Sequence, residues 1–193
     1  MNSLAGRPAP VSIALLHHPV YDKNRQVVAT AVTNLDIHDI ARAARTYGIA
    51  RYYLVTPVAE QQDLAGRIVR HWQDGWGATY NPKRQAALSL VQVADSLAAV
   101  QADMSVRYGA PPCTVVTGAR GDAKSVSCSV LARQIQNGTQ PVLLVFGTGW
   151  GLTEELFDRA DLVLEPLRGP DDYHHLSVRS AVAIYLDRLF GRS

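Results

Sequence analysis

Val142, Leu143, Leu144, Val145 and Phe146 form an unbroken apolar run, followed at once by Gly147, Gly149 and Gly151, in the stretch PVLLVFGTGWGLTEELFDRADLVLEP. Such a run predicts a strand covered on both faces, Val142–Phe146, as in a parallel sheet. The glycines lack a Cβ and tolerate positive φ, so they predict a turn where backbone can come close to a ligand. The spacing then predicts a short helix over Thr153–Arg159, a strand over Asp161–Glu165, a long polar loop and a closing helix from Ser177. A loop at the carboxyl end of a parallel strand is where open α/β sheets bind small molecules.

The glycine spacing is G-x-G-x-G with Trp150 inside it, whereas a dinucleotide fingerprint needs G-x-G-x-x-G. Glu165 stands where a ribose-binding acid would, yet only one helix follows, too little for a second nucleotide-binding half. A structural turn and a ligand loop both satisfy the glycines alone. The closing helix has Ser177 as N-cap and Arg188 in its last turn. Val178, Ala181, Val182, Tyr185 and Leu189 mark one apolar face, and Ala183, Ile184, Leu186 and Phe190 cover much of the rest. A helix so apolar is buried on several sides, either in the core or against another subunit.

The remainder continues the same alternation. Val11–Leu16 reads as a strand ending at His17-His18-Pro19; neighbouring strand residues point to opposite faces, so these histidines do not form a metal pair. A polar loop, Asp22–Gln26, leads to a helix with Asp36 as N-cap, Asp39 in its first turn, an apolar stripe of Ile37, Ile40, Ala41, Ala44 and Tyr47, and Gly48 as its stop. Then come a strand at Tyr52–Val55 and an amphipathic helix over Val58–Gln73. DGWGATYNPKRQ reads as a glycine-broken loop carrying Trp76, Tyr80, Lys83 and Arg84. Aromatics among cations suit RNA, whose bases stack on rings while phosphates meet the charges, though Asn81-Pro82 is also an ordinary turn signal. A strand over Ala87–Val93, a helix over Asp95–Tyr108, a strand over Cys113–Thr117 and a helix over Val126–Gln136 capped by Ser125 or Asp122 complete the pattern. Strands and helices alternate, six of each, which defines a single parallel α/β domain with helices on both faces.

At 193 residues the chain fits one domain, with residues 1–10 a flexible terminus and 11–193 the folded body. No apolar run approaches the length of a membrane span, and the start lacks a signal-peptide pattern. Cys113 and Cys128 have no metal-ligand or disulfide-framework spacing, so the reading is a reduced, cytoplasmic protein with no metal and no membrane partner. GARGDAKS lacks the P-loop spacing. A net charge of +2 means that any nucleic-acid surface is a local patch.

FGTGWGL, LEPLRG and YHHLSVRSA together resemble the cofactor half of the knotted α/β (SPOUT) RNA methyltransferases, closest to their small stand-alone bacterial members. The spacing of Arg42, Ala44 and Gly48 is similar to the first motif of that family; Asp36 stands where many ribose-methylating members carry asparagine. The resemblance implies a C-terminal trefoil knot that holds S-adenosylmethionine, a homodimer, and a tRNA or rRNA substrate. Its three cofactor loops would supply Thr117, Gly118 and Ala119; then Phe146, Gly147, Thr148, Gly149 and Gly151; then Leu164, Pro166, Leu167, Gly169, His175, Leu176, Ser177 and Ala181. Arg42, Asp36 and His175 are the candidate catalytic residues, with Asp39 and His174 as further candidate bases, and Arg179 either holds phosphate or pairs with an acid. Lys83, Arg84 and Arg120 are the candidate RNA contacts. The competing expectations are a knotted RNA-binding or regulatory protein without turnover and a nucleotide-dependent oxidoreductase.

Overall fold

In the computed structural model, residues 8–119, 125–171, 173 and 175–192 are described. Seven parallel strands form the central sheet: β1 (Val11–Leu16), β4 (Arg51–Val55), β5 (Val91–Ala94), β6 (Cys113–Thr117), β7 (Ser125–Val126), β8 (Val142–Gly147) and β9 (Leu162–Leu164), in the order β5-β4-β1-β8-β6-β9-β7. β2 (Val20–Tyr21) and β3 (Val27–Val28) form a separate antiparallel hairpin. The helices are α1 (Asn34–Thr46), α2 (Ala59–Gln73), α3 (Trp76–Tyr80), α4 (Pro82–Leu88), α5 (Leu97–Tyr108), α6 (Cys128–Asn137), α7 (Glu154–Arg159) and α8 (Val178–Phe190).

Both faces of the sheet are covered, which explains the unbroken apolar strands. Along β1, Ile13 and Leu15 join a core with α1, α2, α4, α6 and α8, while Ala14 and Leu16 join a second core with α5 and α7. β8 lies between β1 and β6, in register from Val11↔Val142 to Leu16↔Gly147 and from Cys113↔Val142 to Val116↔Val145. The chain runs outward from β1 to β4 and β5, then crosses to build β6, β8 and β9 on the other side. The strand order therefore reverses beside β1, and the crevice of such a sheet opens at the carboxyl ends there.

Several elements differ from the sequence reading, each for a local reason. Thr33, not Asp36, caps α1: its hydroxyl oxygen accepts from the Asp36 amide at 3.1 Å, and the hydroxyl donates to the Asp36 carboxylate at 2.6 Å. The expected loop at Trp76–Tyr80 is helical, and Ala87 and Leu88 end α4 before β5 begins at Val91. Ser127 caps α6, while Ser125 and Val126 extend the sheet as β7. The described residues thus form nine strands and eight helices instead of six of each. Ala9 is already buried, donating its amide to the Ile135 carbonyl at 2.9 Å, so the body begins before Val11.

One buried polar contact ties α5 to the sheet. The Tyr53 ring is fully buried and its hydroxyl donates to the Asp103 carboxylate at 2.5 Å. That bond holds the Asp103 carboxyl below its ordinary value, while burial pushes the Tyr53 phenol up. Because the folded pKa of Asp103 is depressed, its contribution is complete above the unfolded value near 4 and is lost as pH falls through the folded value. Tyr53→Phe is expected to cost about 1–2 kcal/mol in urea unfolding at neutral pH. The same comparison at pH 3 is expected to show a smaller difference.

Candidate functional site

A cavity of about 820 Å³ opens at the carboxyl ends of β1, β6 and β8. Its walls come from the β2–β3 hairpin and the segment up to Asp36, the turn after β6, the glycine loop after β8 with α7 behind it, Leu167, and residues 175–185 at the start of α8. Phe146, Leu167, Leu176, Val178 and Ala181 supply apolar lining, and Thr30, Thr148 and Ser177 supply hydroxyls. This mixture and volume suit a drug-sized organic ligand.

The glycine loop is shaped by close approach. Gly149 has φ +60°, and a Cβ there would lie 2.9 Å from the Tyr21 carbonyl oxygen and 3.1 Å from Thr30 Cγ2. A Cβ on Gly147 would lie 2.8 Å from Leu152 Cδ2. The hairpin grips the same loop by main chain: Tyr21 N–H donates to Gly151 O and Trp150 N–H to Tyr21 O, each at 2.9 Å. Arg25, itself at φ 64°, pairs with Glu154 at the start of α7 and lies over the Tyr21 ring.

Behind the loop runs a buried polar chain. His17 Nδ1 hydrogen-bonds Thr30 Oγ1 at 3.1 Å, Thr30 and Thr148 share a hydrogen bond of 2.5 Å, and the Thr148 hydroxyl donates to Leu16 O at 3.0 Å. Burial lowers the His17 pKa against the opposing pull of Asp36 and the Ala31 carbonyl, so the imidazole is neutral at pH 7.

The Asp36–Arg179 ion pair lies on the cavity wall, which the charged side chains of Arg25, Glu154 and Asp158 also line. Asp36 Oδ2 accepts from Thr33, and Oδ1 accepts from Arg179 Nη1 at 3.0 Å; Arg179 Nε also approaches Asp39 at 3.5 Å. The Asp36 side chain is 7% exposed and that of Arg179 31%, so solvent screens the pair only from one side. Arg179 lies in the first turn of α8, where Ser177 caps by accepting from the Ser180 amide at 3.3 Å. The pairing reading of Arg179 is the one the geometry shows.

The structure brings Asp36, Thr117, Gly118, Ala119, Phe146, Gly147, Thr148, Gly149, Gly151, Leu167, His175, Leu176, Ser177 and Ala181 to this wall. Others lie elsewhere. Leu164 is wholly buried in the core, Pro166 is half-buried and Gly169 exposed, and none of the three lines the cavity. Glu165 points its carboxylate at the Cys128 amide, 3.0 Å away at the start of α6, and is no ribose ligand. Arg42 is exposed on α1 outside the wall, and Lys83 and Arg84 sit on α4. Arg120, Asp122 and His174 lie outside the described residues. The sequence reading missed Tyr21, Arg25, Thr30 and Thr33; its available signal was the unusually long connection from Leu16 to the first helix. Among the described residues, no three His, Cys, Asp or Glu side chains converge as metal ligands, and no helix is long and apolar enough to cross a membrane.

A doubly covered parallel sheet, a cavity walled by a glycine loop at its switch point and an ion pair on the cavity wall make up the small-molecule site of an open α/β protein. A sequence model of the SAM-dependent RNA methyltransferases matches residues 10–191, and the chain belongs to that family. Its cofactor is S-adenosylmethionine. The chain is 44% identical over 178 residues to a tRNA (guanine-N(1)-)-methyltransferase of Nitratidesulfovibrio vulgaris, matching 92% of this chain and 41% of that protein. It is 43% identical over 183 residues to an uncharacterised protein of Aquifex aeolicus, matching 95% of this chain and 89% of that one. The chain thus spans about two fifths of the named relative and nearly all of the other. The fold is shared with a putative methylase family protein of Neisseria gonorrhoeae, at TM-score 0.64 and 17% identity over 100% of this chain and 87% of that one.

The cavity fits this cofactor. Its apolar wall suits an adenine ring and its hydroxyls suit a ribose, while the missing Cβ atoms of Gly147 and Gly149 let the loop pack on Leu152 and on the hairpin and so shape the wall.

Proposed function

We propose that this chain methylates tRNA, holding the cofactor in a C-terminal knot between the glycine loop and residues 167–181, and that it acts as a homodimer. The observation that carries the reading is the Asp36–Arg179 pair on the wall of the same cavity as the glycine loop. The bound cofactor supplies an electrophilic methyl group on a sulfonium. Everything else required of the protein is positioning and proton handling. The Asp36 carboxylate has about four acceptor sites, of which Thr33 and Arg179 each take one. The remaining sites accept an N–H or O–H of the RNA acceptor, orienting it and receiving its proton. Arg179 fixes the carboxylate, and His175 lies on the same wall as a second polar group. Arg42, outside the wall, contacts RNA in this scheme.

tRNA is the proposed substrate because the named relatives act on it, although the match covers only 41% of their length. The test is transfer of labelled methyl from S-adenosylmethionine to total tRNA and to rRNA by the purified chain. Incorporation into tRNA is the expected result. Saturable cofactor binding without transfer to either RNA would instead establish the inactive RNA-binding alternative. Sedimentation of the same protein tests the dimer, which is expected to persist at micromolar concentration.

A further inference from the structure

The sheet and cavity leave one feature unused, on the face built by α3 and α4. Trp76 and Tyr80 are 69% and 68% exposed, and their rings stack on each other, centroids 4.7 Å apart and planes at 20°. Two large rings ordered this way in solvent form a flat surface ready to extend a base stack.

The surface is firmly built. Gly77 passes so close to Trp72 that a Cβ would lie 2.8 Å from the indole Cε3. The Asn81 side chain accepts from the Arg84 amide at 3.0 Å and starts α4. Gln85 Nε2 donates to Gln73 O at 2.9 Å, and Gln73 Nε2 donates to Leu88 O at 3.1 Å, locking α4 to α2.

Its charge is one-sided. Asp74 is the only acid in the segment 74–88, which also carries Lys83 and Arg84. The Arg84 guanidinium lies 4.8 Å from the centre of the Trp72 ring, and the His38 ring meets the same indole edge-on at 5.4 Å. Arg42 and Lys83 are exposed and form no ion pair among the described residues. Burial, and after it the charges of Arg84 and Arg42, push the His38 pKa down against the opposing Asp39. α1 packs against α4 and runs from Asp36 at the cavity to Arg42 here, a rise of roughly 9 Å.

We propose that Trp76 and Tyr80, flanked by Lys83, Arg84 and Arg42, form a platform for single-stranded RNA that holds nucleotides flanking the one in the cavity. This rests on the RNA reading above. The occupant is single-stranded because ring faces take only bases that are free of their own stack. It is nucleic acid because the stacked rings of α3 adjoin the cations Lys83, Arg84 and Arg42 on α4 and α1, which outnumber the acids Asp74 and Asp39 there.

The test measures anisotropy of labelled oligoadenylate, alone and as a duplex with oligouridylate. Trp76→Ala and Tyr80→Ala are each expected to weaken single-strand affinity about tenfold or more, with duplex affinity little changed. Trp76→Phe is expected to retain most of the affinity, and cofactor affinity is expected to stay at the wild-type value in all three. Unchanged single-strand affinity in both alanine variants overturns the proposal, as does conversion of a dimer to a monomer by Trp76→Ala, which makes the surface a protein contact. Single-strand binding without methyl transfer by the wild type would sink the proposed function and leave the platform standing. Wild-type transfer with an unaltered RNA KM in Trp76→Ala would do the reverse.

Discussion

Gly149→Val is expected to weaken S-adenosylmethionine binding at least about thirtyfold, read by calorimetric titration. Two costs add. At φ +60° a residue with a Cβ loses about 1–2 kcal/mol against glycine. The added atoms also enter space held by the Tyr21 carbonyl and Thr30 Cγ2, where overpacking costs about 1–3 kcal/mol. The loop must then separate from the hairpin, breaking the Trp150–Tyr21 and Tyr21–Gly151 hydrogen bonds that close this side of the cavity. Gly149 is exposed and outside both cores, so the fold is expected to survive and the loss to fall on the ligand. Gly169→Val is the matched control. Gly169 is exposed, does not line the cavity, and a Cβ there meets open space, so its affinity is expected to change less than about twofold. Wild-type affinity in Gly149→Val would remove the glycine loop from the cofactor site. A large loss in Gly169→Val would show that this end of the LEPLRG segment reaches the ligand beside Leu167.

Those two glycines mark where the sequence was legible. Val11–Leu16 and Cys113–Thr117 are strands with the bounds their apolar runs predict, because burial on both faces leaves no other use for such a run. Ser177 caps the last helix as its side chain suggests. Gly149 makes a close approach, but to Tyr21 and Thr30 of the hairpin segment where the spacing suggested a ligand, whereas a Cβ on Gly169 meets nothing. The β2–β3 hairpin has strands of two residues each, too short to carry any periodicity, and its turn uses Arg25 at positive φ where a sequence reader looks for glycine. α3 was hidden by Gly75 and Gly77, which do not break the chain: Gly75 passes close to the His71 backbone and Gly77 admits Trp72. Thr33 and Asp36 are both good N-caps by residue type; a hydroxyl that accepts from one amide while donating to the carboxylate decides between them. The Asp36–Arg179 pair joins positions 143 residues apart, which no spacing could have matched.

Asp36→Asn is expected to lower the methyl-transfer rate about a hundredfold or more while leaving cofactor affinity near wild type. The amide keeps the shape of the carboxylate. Its oxygen is expected to face Arg179, which has no acceptor to offer the NH₂ group, and its nitrogen to face Thr33, whose hydroxyl can turn from donor to acceptor. What disappears is the anionic edge that receives the acceptor's hydrogen. Arg179 retains Asp39 and partial exposure, so the stability cost is expected to be about 1–2 kcal/mol, well short of a fully buried broken pair. Arg179→Gln differs in kind: it strands a 7%-exposed carboxylate, and about 2–3 kcal/mol of stability is expected to go with it. Rate and stability thus separate, with the asparagine variant losing more rate and the glutamine variant more stability. If Asp36→Asn transfers methyl at the wild-type rate, the carboxylate is structural only, and the acceptor's proton must leave by another group on the wall, where Asp158, Glu154 and His175 also stand. The double variant then decides between coupling and coincidence. Two residues that act through one ion pair lose less rate together than the sum of their separate losses, whereas independent residues lose the full sum.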